Sequence, residues 1–416
     1  MRAVFLALYN FLFAFIGLII FLPAFIFSKR MRAEIPYHFK ERFAGFKRFK
    51  KTKQKTIWFH CSSLGEARAV EPLIHKLKDT FDIVLTTNTK TGRQYASKIE
   101  GIAFVSLLPF DIYPLMLKAV DKISPDLLIL VETELWVSLL CASRAKKVPI
   151  AIVNARMSEK TYKTYKLFGF FWKRFIGLID IIMARSADDL QRFSAFGAGK
   201  ICACISGNIK YDRDFSCAAD RKDFGIGVED IVFCAGSTRE GEEKVIAKVY
   251  KRVKQKYEDI KFFLVPRHIN RVEQIKEILN RAGISFCLFS QKKFSANFIL
   301  VDVFGILQNL YSIADICFVG GSIANKGGQN PIEPAAYAKP VLFGRYMQNF
   351  KTESQILLDY GGALKASTAV GLSRQILKLL ADRNALKEMG QKAAQAVQSQ
   401  KGAITLSVEK IKQILL

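Results

Sequence analysis

Histidine is scarce in this 416-residue chain, at four residues, and its eight cysteines, at 61, 141, 202, 204, 217, 234, 287 and 317, are scattered. Only Cys202 and Cys204 lie close together, and one intervening residue suits neither zinc ligation nor a redox dithiol. The cysteines therefore read as small buried apolar residues of a reducing compartment. No metal and no cofactor is assigned. A D-x-D at Asp212–Asp214 falls in the expected linker and does not change this. Also missing are G-x-x-x-x-G-K-[ST], G-x-G-x-x-G after a first strand, and G-x-S-x-G, which counts against a nucleotidase or a dinucleotide enzyme. Negative charge is short as well: 37 Asp and Glu face 63 Lys and Arg, a formal net charge of +26. Such an excess calls for an anionic partner: nucleic acid, acidic lipid or a phosphorylated substrate.

What is present narrows the choice. With 50% hydrophobic and 24% charged residues the chain is folded, and its length implies two domains of roughly 150–200 residues each. Val4–Phe27 is 24 residues of almost unbroken apolar sequence. As a helix it would reach about 36 Å, against about 30 Å for a hydrocarbon core. KRMR follows in place of a cleavage site, so a retained anchor is expected over residues 1–28. Eleven Lys and Arg between Lys29 and Lys55, against Glu34 and Glu41, place the rest of the chain on the cytoplasmic side of the membrane. The alternative is a buried helix of the globular part; Asn10 and Pro23 also permit a helix dipping into one leaflet.

Beyond the basic flank, short apolar runs alternate with helical patterns, which predicts βα units around parallel sheets. One set covers 57–60, 83–87, 103–107, 127–131, 149–153 and 181–184; a second covers 231–235, 262–265, 298–301, 316–319 and 341–343. Residues 206–230, polar and aperiodic, make the best linker, giving domains at 29–210 and 211–416. Ligands of open α/β sheets bind beyond the carboxyl ends of strands, so motifs that directly follow strands matter most.

FHCSSLGEARA (59–69) puts Glu66 at a helix start, where it serves either as a general base or as a carboxylate favoured by the helix dipole. LILVETELW (128–136) delivers Glu132 and Glu134 to a strand end, with Trp136 as a flat face for a sugar or acyl chain or as packing beneath the helix. The hydroxyl-rich turn TTNTKTGRQYA (86–96) and NARMS (154–158) are weaker anion-site candidates. GNIKYD (207–212) carries Lys210, which could neutralise a leaving phosphate or be one more solvated lysine. In the second half CAGSTREGEE (234–243) follows a strand, and LVPRHINR (264–271) presents Arg267 as a phosphate clamp behind Pro266. Val319–Gly344 places a glycine-rich turn after a strand, then Asn330 and Glu333 on a short helix. Bare amides at such a turn suit a phosphate, and Glu333 can bond sugar hydroxyls.

Taken in order, these segments resemble the 3-deoxy-D-manno-octulosonic acid (Kdo) transferase family. The resemblance implies a GT-B architecture, two Rossmann-like domains facing a cleft, and metal-independent inverting transfer of Kdo from CMP-β-Kdo to the lipid A precursor, lipid IVA, at the inner membrane. Through HxxSxGE it assigns the catalytic base to Glu66; through VETELW, transition-state stabilisation to Glu132; through G-x-x-K-x-D, the lysine to Lys210. CMP contacts fall on Pro266 and Arg267, on Phe304, Gly305 and Ile306, and on Asn330, Pro331, Ile332 and Glu333. Two positions depart from the family pattern: Ile306, where a polar acid is common, and Arg239, where histidine is usual. The expected partners are CMP-Kdo, the lipid A precursor and an anionic membrane surface, not nucleic acid. A UDP-sugar glycosyltransferase or epimerase of the same architecture is the rival reading, and a membrane-bound nucleic-acid binder ranks below it because it leaves the strand-end carboxylates unexplained.

Overall fold

The computed structural model describes residues 4–13, 15, 19, 38–197, 202–213, 215, 219–294 and 296–415. The chain forms two compact units, Met1–Arg213 with Lys401–Leu416, and Asp214–Gln400. In the first, β1 (Thr56–Cys61), β2 (Asp82–Thr87), β3 (Ile102–Leu107), β4 (Leu127–Val131), β5 (Ile150–Ala155), β6 (Ile181–Ala184) and β7 (Cys202–Ile205) make a parallel sheet of order β3-β2-β1-β4-β5-β6-β7. Alternate side chains of its central strands enter two separate cores. Trp58, Val84, Leu128, Leu130 and Ile152 face one, while Ile57, Phe59, Leu85, Ile129 and Val153 face the other. Burial on both faces explains why these strands read as continuous apolar runs.

The second unit repeats the plan with β8 (Val232–Thr238), β9 (Lys261–Pro266), β10 (Phe286–Leu288), β11 (Phe298–Leu300), β12 (Ile316–Val319), β13 (Val341–Phe343) and β14 (Ala363–Lys365), in the order β10-β11-β9-β8-β12-β13-β14. The strand order turns back at the centre of each sheet, at β1/β4 and at β8/β12. The crevice at such a reversal is where α/β sheets take ligands. FHCSSLGE and VETELW follow β1 and β4; GSTREGEE and the glycine-rich turn continue from β8 and β12. All four lie at the carboxyl ends of the strands that flank a reversal.

Two features depart from the expected boundaries. Lys401–Leu416, expected in the second domain, belongs to the first unit. Ala403, Ile404, Ile411 and Leu415 of helix Ala403–Leu415 share a core with Val70, Leu73 and Ile74 of helix Leu64–Leu77. The Asp212 carboxylate caps its start, accepting from Gly402 N at 2.7 Å and Ile404 N at 2.6 Å. At the N-terminus, residues 4–13 are helical, but 1–3, 14, 16–18 and 20–28 of the expected anchor, and 29–37 of its basic flank, lie outside the described residues. No helix among the described residues is long and apolar enough to cross a membrane. Of the cysteines, 61, 234, 287 and 317 are buried as expected, whereas Cys202, on an edge strand, is exposed and Cys217 lies outside the described residues.

Candidate functional site

In the first unit the chain leaves β1 through Ser62 and Ser63 into helix Leu64–Leu77. Ser63 Oγ accepts from Glu66 N at 3.4 Å and donates to Glu66 Oε1 at 2.9 Å, and Ser62 N donates to Glu66 Oε2 at 2.6 Å. This reciprocal cap fixes the carboxylate at the helix mouth. Burial, then the charges of Glu134 and Glu132, push its pKa up to about 8, against the pull of the Ser62 and Ser63 hydrogen bonds. Glu66 is thus mostly protonated at neutral pH, unlike the ionised carboxylate that its sequence position suggests.

Glu132 leaves β4 with a φ of 61°, a left-handed conformation that side-chain-bearing residues seldom adopt, while its N–H bonds Val153 O at 3.1 Å. Its carboxylate receives the Lys210 ammonium at 2.9 Å. Burial alone would raise the Glu132 pKa, but Lys210, Arg156 and Arg185 outweigh it and hold the group below the usual range. Lys210 is placed from two sides. Asn208 Oδ1 accepts its N–H at 3.1 Å, and the side chain of fully buried Asn154, φ 55°, accepts Ile209 N at 3.3 Å. The expected phosphate-neutralising lysine therefore already neutralises a carboxylate in this arrangement. Glu134 accepts from Trp136 Nε1 at 2.9 Å, and burial raises its pKa despite its hydrogen bonds to Trp136 and Ser62. His60 lies buried beneath, Nδ1 3.0 Å from Thr86 Oγ1, with burial lowering its pKa to about 3; it is neutral.

In the turn after β2, a weaker anion-site candidate, part of the polar set bonds within the turn. Thr89 Oγ1 accepts from Gly92 N at 3.1 Å, and Thr87 Oγ1 donates to Thr89 O at 3.1 Å. Asn88 instead braces the Glu66 turn, its N–H reaching Ser62 O at 3.2 Å and its Nδ2 reaching Ser62 Oγ at 3.3 Å. Arg42 in turn reaches Asn88 Oδ1 at 3.4 Å and Leu108 O at 2.8 Å.

In the second unit the glycine-rich turn differs from its sequence reading in one respect. Its amides are not bare: the fully buried Glu242 carboxylate accepts from Gly321 N at 2.6 Å, Ile323 N at 2.8 Å and Ala324 N at 3.2 Å, besides Arg239 N at 2.8 Å. Glycine at 320 is a packing demand, since a Cβ there would stand 2.4 Å from Ser237 O. The amide at the start of helix Ile332–Ala336 is also taken, with Ile332 N donating to Asn330 Oδ1 at 3.1 Å, while Asn330 Nδ2 reaches Glu333 Oε1 at 3.3 Å. What stays open is side chain. Arg267 is exposed just past the end of β9, where Pro266 is buried, and its backbone N–H is pinned to Thr238 O at 3.0 Å. Arg239 Nη1 lies 2.6 Å from His268 Nε2, and slight burial plus Arg239, Arg267 and Arg271 lower the His268 pKa. Phe304 and Gly305, φ 95°, are exposed beyond β11, and half-buried Ile306 starts helix Leu307–Ile313. Pro331 and Ile332 are buried, and Asn330 and Glu333 half-buried, beyond β12.

Residues 37–213 match the family model described as 3-deoxy-D-manno-octulosonic-acid transferase (kdotransferase). The 3-deoxy-D-manno-octulosonic acid transferase of Haemophilus influenzae is 30% identical over 371 residues, covering 86% of this chain and 87% of that one. The chain belongs to the Kdo transferase family. The Aquifex aeolicus Kdo transferase is 31% identical over 333 residues, 80% of this chain and 88% of that one. A bifunctional glycosyltransferase/methyltransferase of Fusobacterium nucleatum is 35% identical over 316 residues, 71% of this chain; the aligned region spans 48% of that longer protein. UDP-N-acetylglucosamine 2-epimerase from Neisseria meningitidis shares the fold at a TM-score of 0.59 and 14% identity, over 86% of this chain and 99% of that one. Kdo transferase relatives and two Rossmann-like units of GT-B type make this chain a glycosyltransferase.

Sequence reasoning missed Glu242 as the organiser of the glycine-rich turn and Asn154 as the support of Lys210. Glu242 carried a signal, an acid three residues after a turn at a strand end. Asn154 carried a weak one, as the asparagine that opens NARMS at a strand end, a residue type that tolerates the left-handed backbone it adopts there.

Proposed function

We propose that this family member transfers Kdo from CMP-β-Kdo to lipid IVA, with inversion and without a metal ion, on the cytoplasmic side of the inner membrane. The observation that carries this reading is Glu66, a carboxylate fixed at the reversal of the first sheet with a pKa raised to about 8, near the working pH at which a general base is most effective. In the step proposed, Glu66 takes the proton of an acceptor hydroxyl, whose oxygen attacks the anomeric carbon of Kdo while the bond to the CMP phosphate oxygen breaks and CMP departs. Glu132, held by Lys210, supplies fixed charge beside the reacting centre. Pro266, Arg267, Phe304–Ile306 and Asn330–Glu333 hold the cytidylate, Arg267 through its exposed guanidinium. A net charge of +26 suits a donor bearing carboxylate and phosphodiester, a phosphorylated lipid acceptor and an anionic leaflet.

The test is a mass-spectrometric assay of the purified full chain with lipid IVA and CMP-Kdo generated in situ. Lipid gaining the mass of one or more Kdo residues, with CMP released, is the expected result. Unchanged lipid with CMP-Kdo, together with turnover of a UDP-sugar, would overturn the reading.

A further inference from the structure

Helices Glu159–Leu167 and Gly169–Ile176 of the first unit meet at Phe168. At this tip Leu167 is 80% exposed, Phe168 64% and Phe170 61%. Such a cluster of large apolar side chains in water marks a surface that meets something. The charges around it are predominantly positive. Lys160, Lys163, Lys166 and Lys173 are exposed, and the acid of the pair, Glu159, is engaged by Lys163 at 2.7 Å.

The tip continues into the N-terminal helix. Phe5 packs edge-on against Phe170 and Phe171 at 5.8 and 6.2 Å, and the Arg174 guanidinium lies 4.3 Å from the Phe170 ring centre and 5.3 Å from that of Phe5. Helix 4–13 turns Val4, Leu8, Phe11 and Leu12 outward, a stripe at helical spacing. Its seat on the unit is fixed by polar bonds: Tyr9 OH donates to Asp111 Oδ2 at 2.7 Å, and Tyr113 N donates to Asn10 Oδ1 at 2.7 Å. Asp111 is buried and also caps helix Val137–Ala145 through Ser138 N at 3.1 Å and Leu139 N at 3.0 Å. The outward stripe and the tip are therefore parts of one body.

We propose that the tip Leu167–Phe170 enters the headgroup layer of an anionic bilayer, a second membrane contact beside the N-terminal segment, with Lys160, Lys163, Lys166 and Lys173 over acidic headgroups. Charge complementarity and continuity with the apolar run from Val4 select a lipid surface over a protein partner. The inference rests on the proposed membrane location, and does not depend on which sugar is transferred.

The experiment uses the full chain carrying Phe168→Trp, bound to phosphatidylglycerol vesicles containing lipids brominated near the headgroup. Fluorescence of the introduced indole should be quenched beyond the background of the unsubstituted protein. Each further Lys→Gln change at 160, 163 or 166 should weaken insertion of the tip about fivefold, and zwitterionic vesicles should give little quenching. Flotation of the same samples separates the two ideas: protein that fails to float removes the membrane location itself, whereas floating protein whose introduced indole stays unquenched removes only the tip contact. A dimer in detergent that Leu167→Asp with Phe168→Asp dissolves would assign the tip to a second copy and also overturn the proposal.

Discussion

Glu66 carries a protonation burden that its neighbours impose. Its folded-state pKa of about 8 lies above the ordinary 4.5, so the folded protein holds a proton there that the unfolded chain releases. Its contribution to stability is fully present below about pH 4.5 and is lost as pH rises to about 8. Glu66→Gln should lower turnover by about 10²–10⁴-fold, yet leave Tm at pH 8 equal to or above that of the unsubstituted protein, with no gain at pH 4.5. Calorimetry beside the transfer assay checks both halves, and near-normal turnover in the variant would remove the base assignment. The rate of the unsubstituted enzyme should rise with pH through a limb near 8, and Glu134→Gln should move that limb to lower pH by removing a like charge. In the second unit, Glu242→Ala would leave the amides of Arg239, Gly321, Ile323 and Ala324 without their acceptor. A loss of about 3 kcal/mol or more in urea unfolding is expected, with weakened CMP binding by calorimetry.

At the scale of elements, the central strands were legible because burial on both faces leaves them few polar positions, most of them toward the strand ends. The strands that escaped notice, β7, β10 and β14, all lie at sheet edges. They are three or four residues long and partly exposed, so their pattern is weak. The helix start after β1 was legible from the turn before Glu66, while the structure added its cap, with Ser63 and Glu66 at the spacing of a capping box. Helix Ala403–Leu415 depends on a cap far away in sequence, Asp212. Asp212→Ala should cost about 1 kcal/mol and speed hydrogen exchange across the first turn of that helix. A change confined to the segment near 212 would show that the cap does not hold the helix.

For the whole molecule, the last helix makes the first unit depend on the end of the chain. Truncation before Lys401 removes Ala403, Ile404, Ile411 and Leu415 from a core shared with Val70, Leu73 and Ile74. The expected outcome is loosening of helix Leu64–Leu77, seen as faster hydrogen exchange there and lower transfer activity, while peptides of the second unit keep their protection. Since Glu66 sits on the first turn of that helix, the defect should be in kcat more than in CMP affinity. Unchanged exchange in residues 64–77 would count against this coupling.

The sequence by itself determined the two α/β halves, the strand-end motifs and the strong positive charge, because apolar runs, turn residues and charge act over a few neighbouring positions. Tertiary structure alone decided which polar groups far apart in sequence meet. It spent the glycine-rich amides on Glu242, about 80 residues upstream by the separations of 79 to 82, and gave Lys210 to Glu132, 78 residues away. It also set the protonation of Glu66 through Glu132 and Glu134. Electrostatic energy depends on distance in space and on exclusion of water, and neither can be read along the chain.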